Sequence, residues 1–138
     1  MTVGDEYRRG RQVVSALHAH LVFVTKYRRG VLDSAMLGCC EAAMRKVCAD
    51  FGAELREFNG EDDHVRLLVE YPPKVAVSAL VNSLKGVSAR RLRSQFTGSV
   101  NRASMHGHLW SPSYFAASCA GAPLSIVRQY IEQQRRPG

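Results

Sequence analysis

Among the 138 residues, a few side chains have the types and spacing that chemistry needs. His64 follows directly on the acidic run Glu61-Asp62-Asp63, and Tyr130 precedes Gln134 by one helical turn, on the same face. His18-Ala19-His20 and His106-Gly107-His108 add two His-x-His spacings. Imidazole suits Zn, Ni and Cu, yet both pairs are expected to be structural or solvent-exposed. A lone strand histidine is more often structural, and a tyrosine near a helix end is usually half-buried packing. Glu61, Asp62 and Asp63 lie close enough to His64 to influence a metal, but turn formation and solvation are the expected roles of such a run. Cys39, Cys40, Cys48 and Cys119 include no Cys-x-x-Cys spacing, and a chain of this length needs no disulfide. They are expected to be small buried hydrophobes.

The elements that must position these groups follow from periodicity. Leu17 to Val24 is rich in strand formers and ends at the polar turn Thr25-Lys26-Tyr27-Arg28-Arg29-Gly30. Asp33 is placed to cap a helix whose apolar residues Met36, Leu37, Cys40, Met44, Val47, Cys48 and Phe51 recur at three and four, with Gly52 closing it. A short strand is expected over Ala53 to Phe58, and another from His64 to Tyr71. Strand alternation puts His64, Arg66, Leu68 and Glu70 on one face of the latter and Val65, Leu67, Val69 and Tyr71 on the other. Beyond Pro72-Pro73 the spacing predicts a helix from about Val75 to Phe96, and residues 97–108 read as a loop. Leu109 to Ala116 is expected as a strand, with Pro112 marking an edge or bulge. Pro123 suits the first turn of a last helix over Leu124 to Gln134. The order β-α-β-β-α-β-α implies an α+β fold, a ferredoxin-like or RRM-like antiparallel sheet with helices packed on it and a C-terminal helix carrying the tyrosine. We read a single domain over 1–138, with a basic arm at 1–16 and the tyrosine helix at 123–134.

Composition narrows the partners. Lys and Arg number 19 against 12 Asp and Glu, a formal charge of +7, which favours an anionic partner such as nucleic acid. Apolar runs are too short to span a membrane, and no secretory signal is visible, which points to the cytoplasm. Lys85, Arg90, Arg91 and Arg93 on the second helix, with Lys26, Arg28 and Arg29 after the first strand, are candidates for a phosphate track. Tyr27 and Tyr114 are candidates for stacking on unpaired bases.

Several stretches, in order and at matching spacing, resemble one family. Asp62-Asp63-His64-Val65-Arg66-Leu67-Leu68-Val69 is similar to the Asp-His-U-His-Leu-Leu segment (U hydrophobic) of single-tyrosine HUH transposases of bacterial insertion sequences, the small transposase A type related to REP-associated tyrosine transposases. His20 to Arg29 resembles that family's first strand and turn. Ser83-Leu84-Lys85-Gly86-Val87-Ser88-Ala89-Arg90-Arg91 resembles its Leu-Lys-Gly-x-Ser-x-Arg helix, Trp110 to Tyr114 its Trp-x-x-x-Tyr strand, and Tyr130 to Gln134 its Tyr-Ile-x-x-Gln helix. The resemblance covers residues 17–134. It implies a nuclease and strand transferase that binds hairpin-bearing single-stranded DNA as a homodimer, the tyrosine working in cis or in trans. It also implies that Tyr130 is the nucleophile, forming a 5′-phosphotyrosine, and that His64 and Gln134 are ligands to Mg²⁺ or Mn²⁺. The small residues from Ser118 to Ala122 suit a hinge ahead of the tyrosine helix.

One position departs from that pattern. Arg66 stands where the family has its second histidine, and residues i and i+2 of a strand share a face, so it is expected to point at the metal position. Arginine has no lone pair to donate and stays protonated. Metal binding, and cleavage with it, is therefore expected to be weakened. The alternative is an inactive or domesticated protein that binds hairpin or single-stranded DNA.

Overall fold

The computed structural model describes residues 16–98, 108–118 and 124–134. Its elements are β1 (Leu17–Val24), α1 (Ser34–Asp50), β2 (Glu54–Gly60), β3 (His64–Tyr71), α2 (Val77–Gln95), β4 (Phe115–Ser118) and α3 (Leu124–Gln133), with a 3-10 turn at Lys26–Arg28. The strands form one antiparallel sheet in the order β2-β3-β1-β4, as a ferredoxin-like connection requires. The expected basic arm, residues 99–107 of the expected loop with His106, Cys119, the remainder of the expected hinge, and Pro123 lie outside the described residues.

Alternation along the strands sorts the two faces. Odd positions of β1 and β3 (Leu21, Phe23, Val65, Leu67, Val69) are buried with Met36, Met44, Leu80, Leu84 and Leu92 of α1 and α2. That is the main core. Even positions face the other way, where Val22 and Val24 form a second cluster with Phe115, Tyr130 and Ile131. The cross-strand partners Val24↔His64 and Val22↔Arg66 put both candidate site residues on that second face. α3 therefore covers the sheet on the side opposite α1 and α2.

Local signals set most of the boundaries. The Asp33 side chain accepts from the Met36 amide at 2.8 Å, capping α1, and Gly52 closes the helix at φ 71°. β2 runs two residues further than expected, with an irregularity between Leu55 and Glu57. α2 begins at Val77 rather than Val75, because the Val75 amide donates to the Pro72 carbonyl in a turn after the two prolines. Cys40 and Cys48 are buried as expected, and Cys39 is half-buried. Burial pushes the Cys40 thiol up to about 12 and Cys48 to about 11, so neither is a thiolate near neutral pH.

The fourth strand begins and ends later than expected, at Phe115 and Ser118. Leu109 to Tyr114 is not a continuous strand: Trp110 makes one isolated bridge to Thr25, and the ladder resumes only at Phe115, opposite Val22. Two β1 residues lie between those pairs, against four on the other side, so Ser111 to Tyr114 bulges outward. Pro112 has no amide for the ladder. The Lys85 ammonium instead donates to the carbonyls of Ser111 (2.7 Å) and Pro112 (3.4 Å).

Candidate active site

Two groups of side chains flank β1 on the α3 face. On the β3 side, His64 and Arg66 line a cavity of about 370 Å³ with Arg28, Glu61, Asp63, Arg128, Ile131 and Glu132. His64 is buried, and its Nδ1 lies 2.8 Å from Asp63 Oδ1. A carboxylate can only accept, so this contact requires a proton on Nδ1, and in the neutral ring the lone pair is then on Nε2. Asp63 Oδ2 pairs with Arg28 Nε at 3.1 Å, while its carbonyl accepts from the Thr25 amide at 2.9 Å and the Thr25 hydroxyl at 3.2 Å. Asp63 is thus buried in a network, not a solvated turn residue as expected; Glu61 and Asp62 are exposed.

On the β4 side, the bulge meets α3. Tyr130 Oη and Ser113 Oγ are hydrogen-bonded at 3.1 Å, and the Ser111 hydroxyl donates to Gln134 Oε1 at 3.0 Å. Ser113 reaches the same amide oxygen at 3.4 Å. The Tyr130 ring packs against Phe115 with centroids 5.7 Å apart. Burial raises the phenol above its ordinary value of 10, and the Ser113 hydrogen bond opposes that shift. The α3 residues that line the His64 cavity are Arg128, Ile131 and Glu132, and Ile131 also packs on the Val22–Val24 cluster. His64, Arg66, Tyr130 and Gln134 therefore share one face. The Tyr130 and Gln134 polar atoms bond to the serine bulge rather than line the cavity.

Among the described residues the side chains do not assemble a complete divalent-ion site. Among the described residues no group of three His, Cys, Asp or Glu is placed to hold a metal. His64 offers one nitrogen, the guanidinium of Arg66 offers no lone pair, and Gln134 Oε1 already accepts from Ser111.

The basic candidates fall into two places. Arg28 lines the cavity, and Lys26 and Arg29 flank the exposed Tyr27 ring at 5.4 and 5.7 Å. Arg90 and Arg93 border a shallow groove of about 260 Å³ with Lys85, His108 and Trp110, and Arg91 is exposed beside them. Lys85 is half-buried, and burial lowers its pKa. Tyr114 departs from its expected stacking role: it is half-buried, edge-on to Phe23 at 6.4 Å and under Lys85 at 5.9 Å. His18 pairs with Glu70 at 3.5 Å and His20 is half-buried, in keeping with structural roles. Sequence reasoning missed Ser111, Ser113, Arg128 and Glu132. The Ser-Pro-Ser spacing around Pro112 signalled the first two; only the docking of α3 brings in the others.

Comparison with known proteins agrees with this fold. Residues 13–134 match the family model described as IS200-like transposase. The chain is 32% identical over 129 residues to the ISDra2 transposase TnpA of Deinococcus radiodurans, covering 94% of this chain and 91% of that protein. It is 30% identical over 115 residues to the transposase for insertion sequence element IS200 of Salmonella typhimurium, covering 83% and 74%. A crystal structure described as that of a transposase from Deinococcus radiodurans superposes with a TM-score of 0.82 at 32% identity, covering 94% of this chain and 99% of that one. A REP-associated tyrosine transposase bound to a REP hairpin has a TM-score of 0.56 at 13% identity, covering 88% and 66%, a likeness of fold.

Proposed function

The chain belongs to the IS200-like transposase family, and from that premise we propose that it acts on single-stranded DNA bearing hairpin ends, in the cytoplasm, with Tyr130 as nucleophile. The observation that carries this reading is the docking of α3 over the His64–Arg66 face, which sets the phenol and imidazole on either side of β1. In the proposed step the Tyr130 oxygen bonds to phosphorus, the 3′ oxygen leaves and takes up a proton, and the strand stays on the enzyme by its 5′ phosphate. The phosphodiester energy is kept for rejoining. A half-buried phenol surrenders its proton reluctantly, so the Ser113 hydroxyl, which stabilises the phenolate by hydrogen bonding, is the group beside it that eases the step.

Mg²⁺ or Mn²⁺ supplies charge withdrawal from a phosphate when bound. His64 and Gln134 are the ligands we propose; Gln134 would have to leave its bond to Ser111 and turn toward the His64 cavity, and Arg66 weakens binding further. A homodimer, with Tyr130 serving its own or its partner's site, completes the proposal. Arg66 equally favours a second reading, a hairpin-binding protein with little or no cleavage.

The test is incubation of a hairpin-bearing single strand with Mg²⁺ or Mn²⁺, followed by a denaturing gel for the covalent adduct. We expect little adduct from the wild type, a rise of about 10-fold or more in Arg66→His, and none in Arg66→His carrying Tyr130→Phe. Efficient metal-dependent adduct in the wild type would show that Arg66 does not impair the site. Binding without adduct in Arg66→His would favour the second reading.

A further inference from the structure

We propose that the His64 cavity is a metal-independent phosphate site, in which Arg66 and Arg128 grip one phosphodiester of the single strand; this rests on the DNA-binding reading above. Three guanidinium groups line this one cavity, Arg28, Arg66 and Arg128. Arg28 is committed to Asp63, whose other oxygen holds His64. Arg66 and Arg128 have no hydrogen-bond or ion-pair partner among the described residues, and they approach from different elements. Arg66 rises from β3 in the sheet, and Arg128 reaches in from α3 above it. Two planar donor forks brought by different elements suit the separate oxygens of a phosphodiester, which guanidinium binds bidentately.

The opposing charges do not cancel this. Glu61 and Glu132 also line the cavity, but both are exposed and neither is bonded to Arg66 or Arg128. Asp63 is already engaged by Arg28 and His64. Arg66 is half-buried, so its charge is partly desolvated and gains from an oxyanion in reach. A guanidinium needs no divalent ion to bind phosphate, so the substitution that removes a metal ligand also supplies an anion ligand on the same wall.

Fluorescence anisotropy of a labelled hairpin-bearing single strand tests this, in EDTA and in Mg²⁺, with a matched set of strands carrying one neutral methylphosphonate linkage at successive positions. The expected result is wild-type affinity unchanged by EDTA and lowered about 10-fold by one methylphosphonate position. Arg66→Ala and Arg128→Ala should each bind about 10-fold more weakly and lose that positional sensitivity, with thermal melts confirming folded protein. Wild-type binding that requires Mg²⁺, or Arg66→Ala that keeps both affinity and sensitivity, would overturn the proposal. Inorganic phosphate supplies the separate arm, because it requires no DNA recognition. A thermal shift with phosphate in the wild type but not in Arg66→Ala, without DNA binding by either, would sustain the anion site and sink the DNA reading. Neither DNA binding nor a phosphate shift would end both.

Discussion

Tyr27 and Arg28 have φ angles of 60° and 55°, in the left-handed region that residues with a Cβ rarely enter. Two such residues in succession cost about 1–2 kcal/mol each. The turn they make carries Arg28 to Asp63 and leaves the Tyr27 ring 46% exposed between Lys26 and Arg29. An exposed aromatic flanked by cations, one residue from a cavity-lining arginine, is suited to stacking on an unpaired base. Tyr27→Gly therefore separates the two effects. It should raise stability by about 0.5–1 kcal/mol in urea unfolding, the strain relief reduced by the lost cation–π contacts and by glycine's entropy. It should weaken single-strand binding by about 1–3 kcal/mol. Unchanged affinity would remove Tyr27 from the DNA surface. The residue scale also shows why Asp63 escaped the sequence. Three acids in a row look like a solvated turn, and only the pairing of β3 with β1 carries the third of them inward to His64 and Arg28.

At the scale of elements, the bulge from Ser111 to Tyr114 is the piece that connects the core to Tyr130. Trp110 anchors it from below, its indole N–H donating to Ser88 Oγ at 3.0 Å, and Lys85 holds its carbonyls. Its two serines then reach α3. Replacing Ser113 by Ala removes the hydrogen bond that opposes burial, so the Tyr130 phenol should move further above 10. Difference ultraviolet titration against a Tyr130→Phe control reads this directly; an unshifted or lowered phenol would deny the contact its role. The sign for stability follows from the same shift. The native protein holds the Tyr130 proton more tightly than the unfolded chain, so this contribution is intact below pH 10 and is lost as pH rises through the higher native value. Local elements were legible because their signals are local: the Asp33 cap, Gly52, and alternation along β1 and β3. The start of β4 was not, because strand-forming residues, Leu109 and Trp110 on one side and Tyr114 and Phe115 on the other, flank Ser111-Pro112-Ser113. What breaks it is the missing amide of Pro112 together with a lysine 26 and 27 positions away that takes the carbonyls of Ser111 and Pro112.

Across the whole molecule, the formal charge of +7 matters through where it is displayed. The segment from His108 to Pro112 links two basic regions. Its Leu109 carbonyl accepts from the Lys26 amide at 2.8 Å, and Leu109 and Trp110 border the groove that Arg90 and Arg93 flank. The turn after β1, which ends in the cavity, thus connects through one stretch of backbone to the exposed end of α2. On the proposed function, a DNA strand entering the cavity past Arg28 would have a basic path leading away from it toward Arg90 and Arg91. Each phosphate neutralised along a single strand contributes about 0.7 to the slope of log affinity against log salt. Arg90→Ala combined with Arg91→Ala should therefore flatten that slope by about 1.4 while leaving the fold intact, since both side chains are exposed. Tyr27→Leu, by contrast, should lower affinity at every salt concentration without changing the slope, because stacking releases no counterions. A double variant whose slope matches the wild type would confine phosphate contact to the cavity and the β1 turn, leaving the α2 arginines as a solvated face.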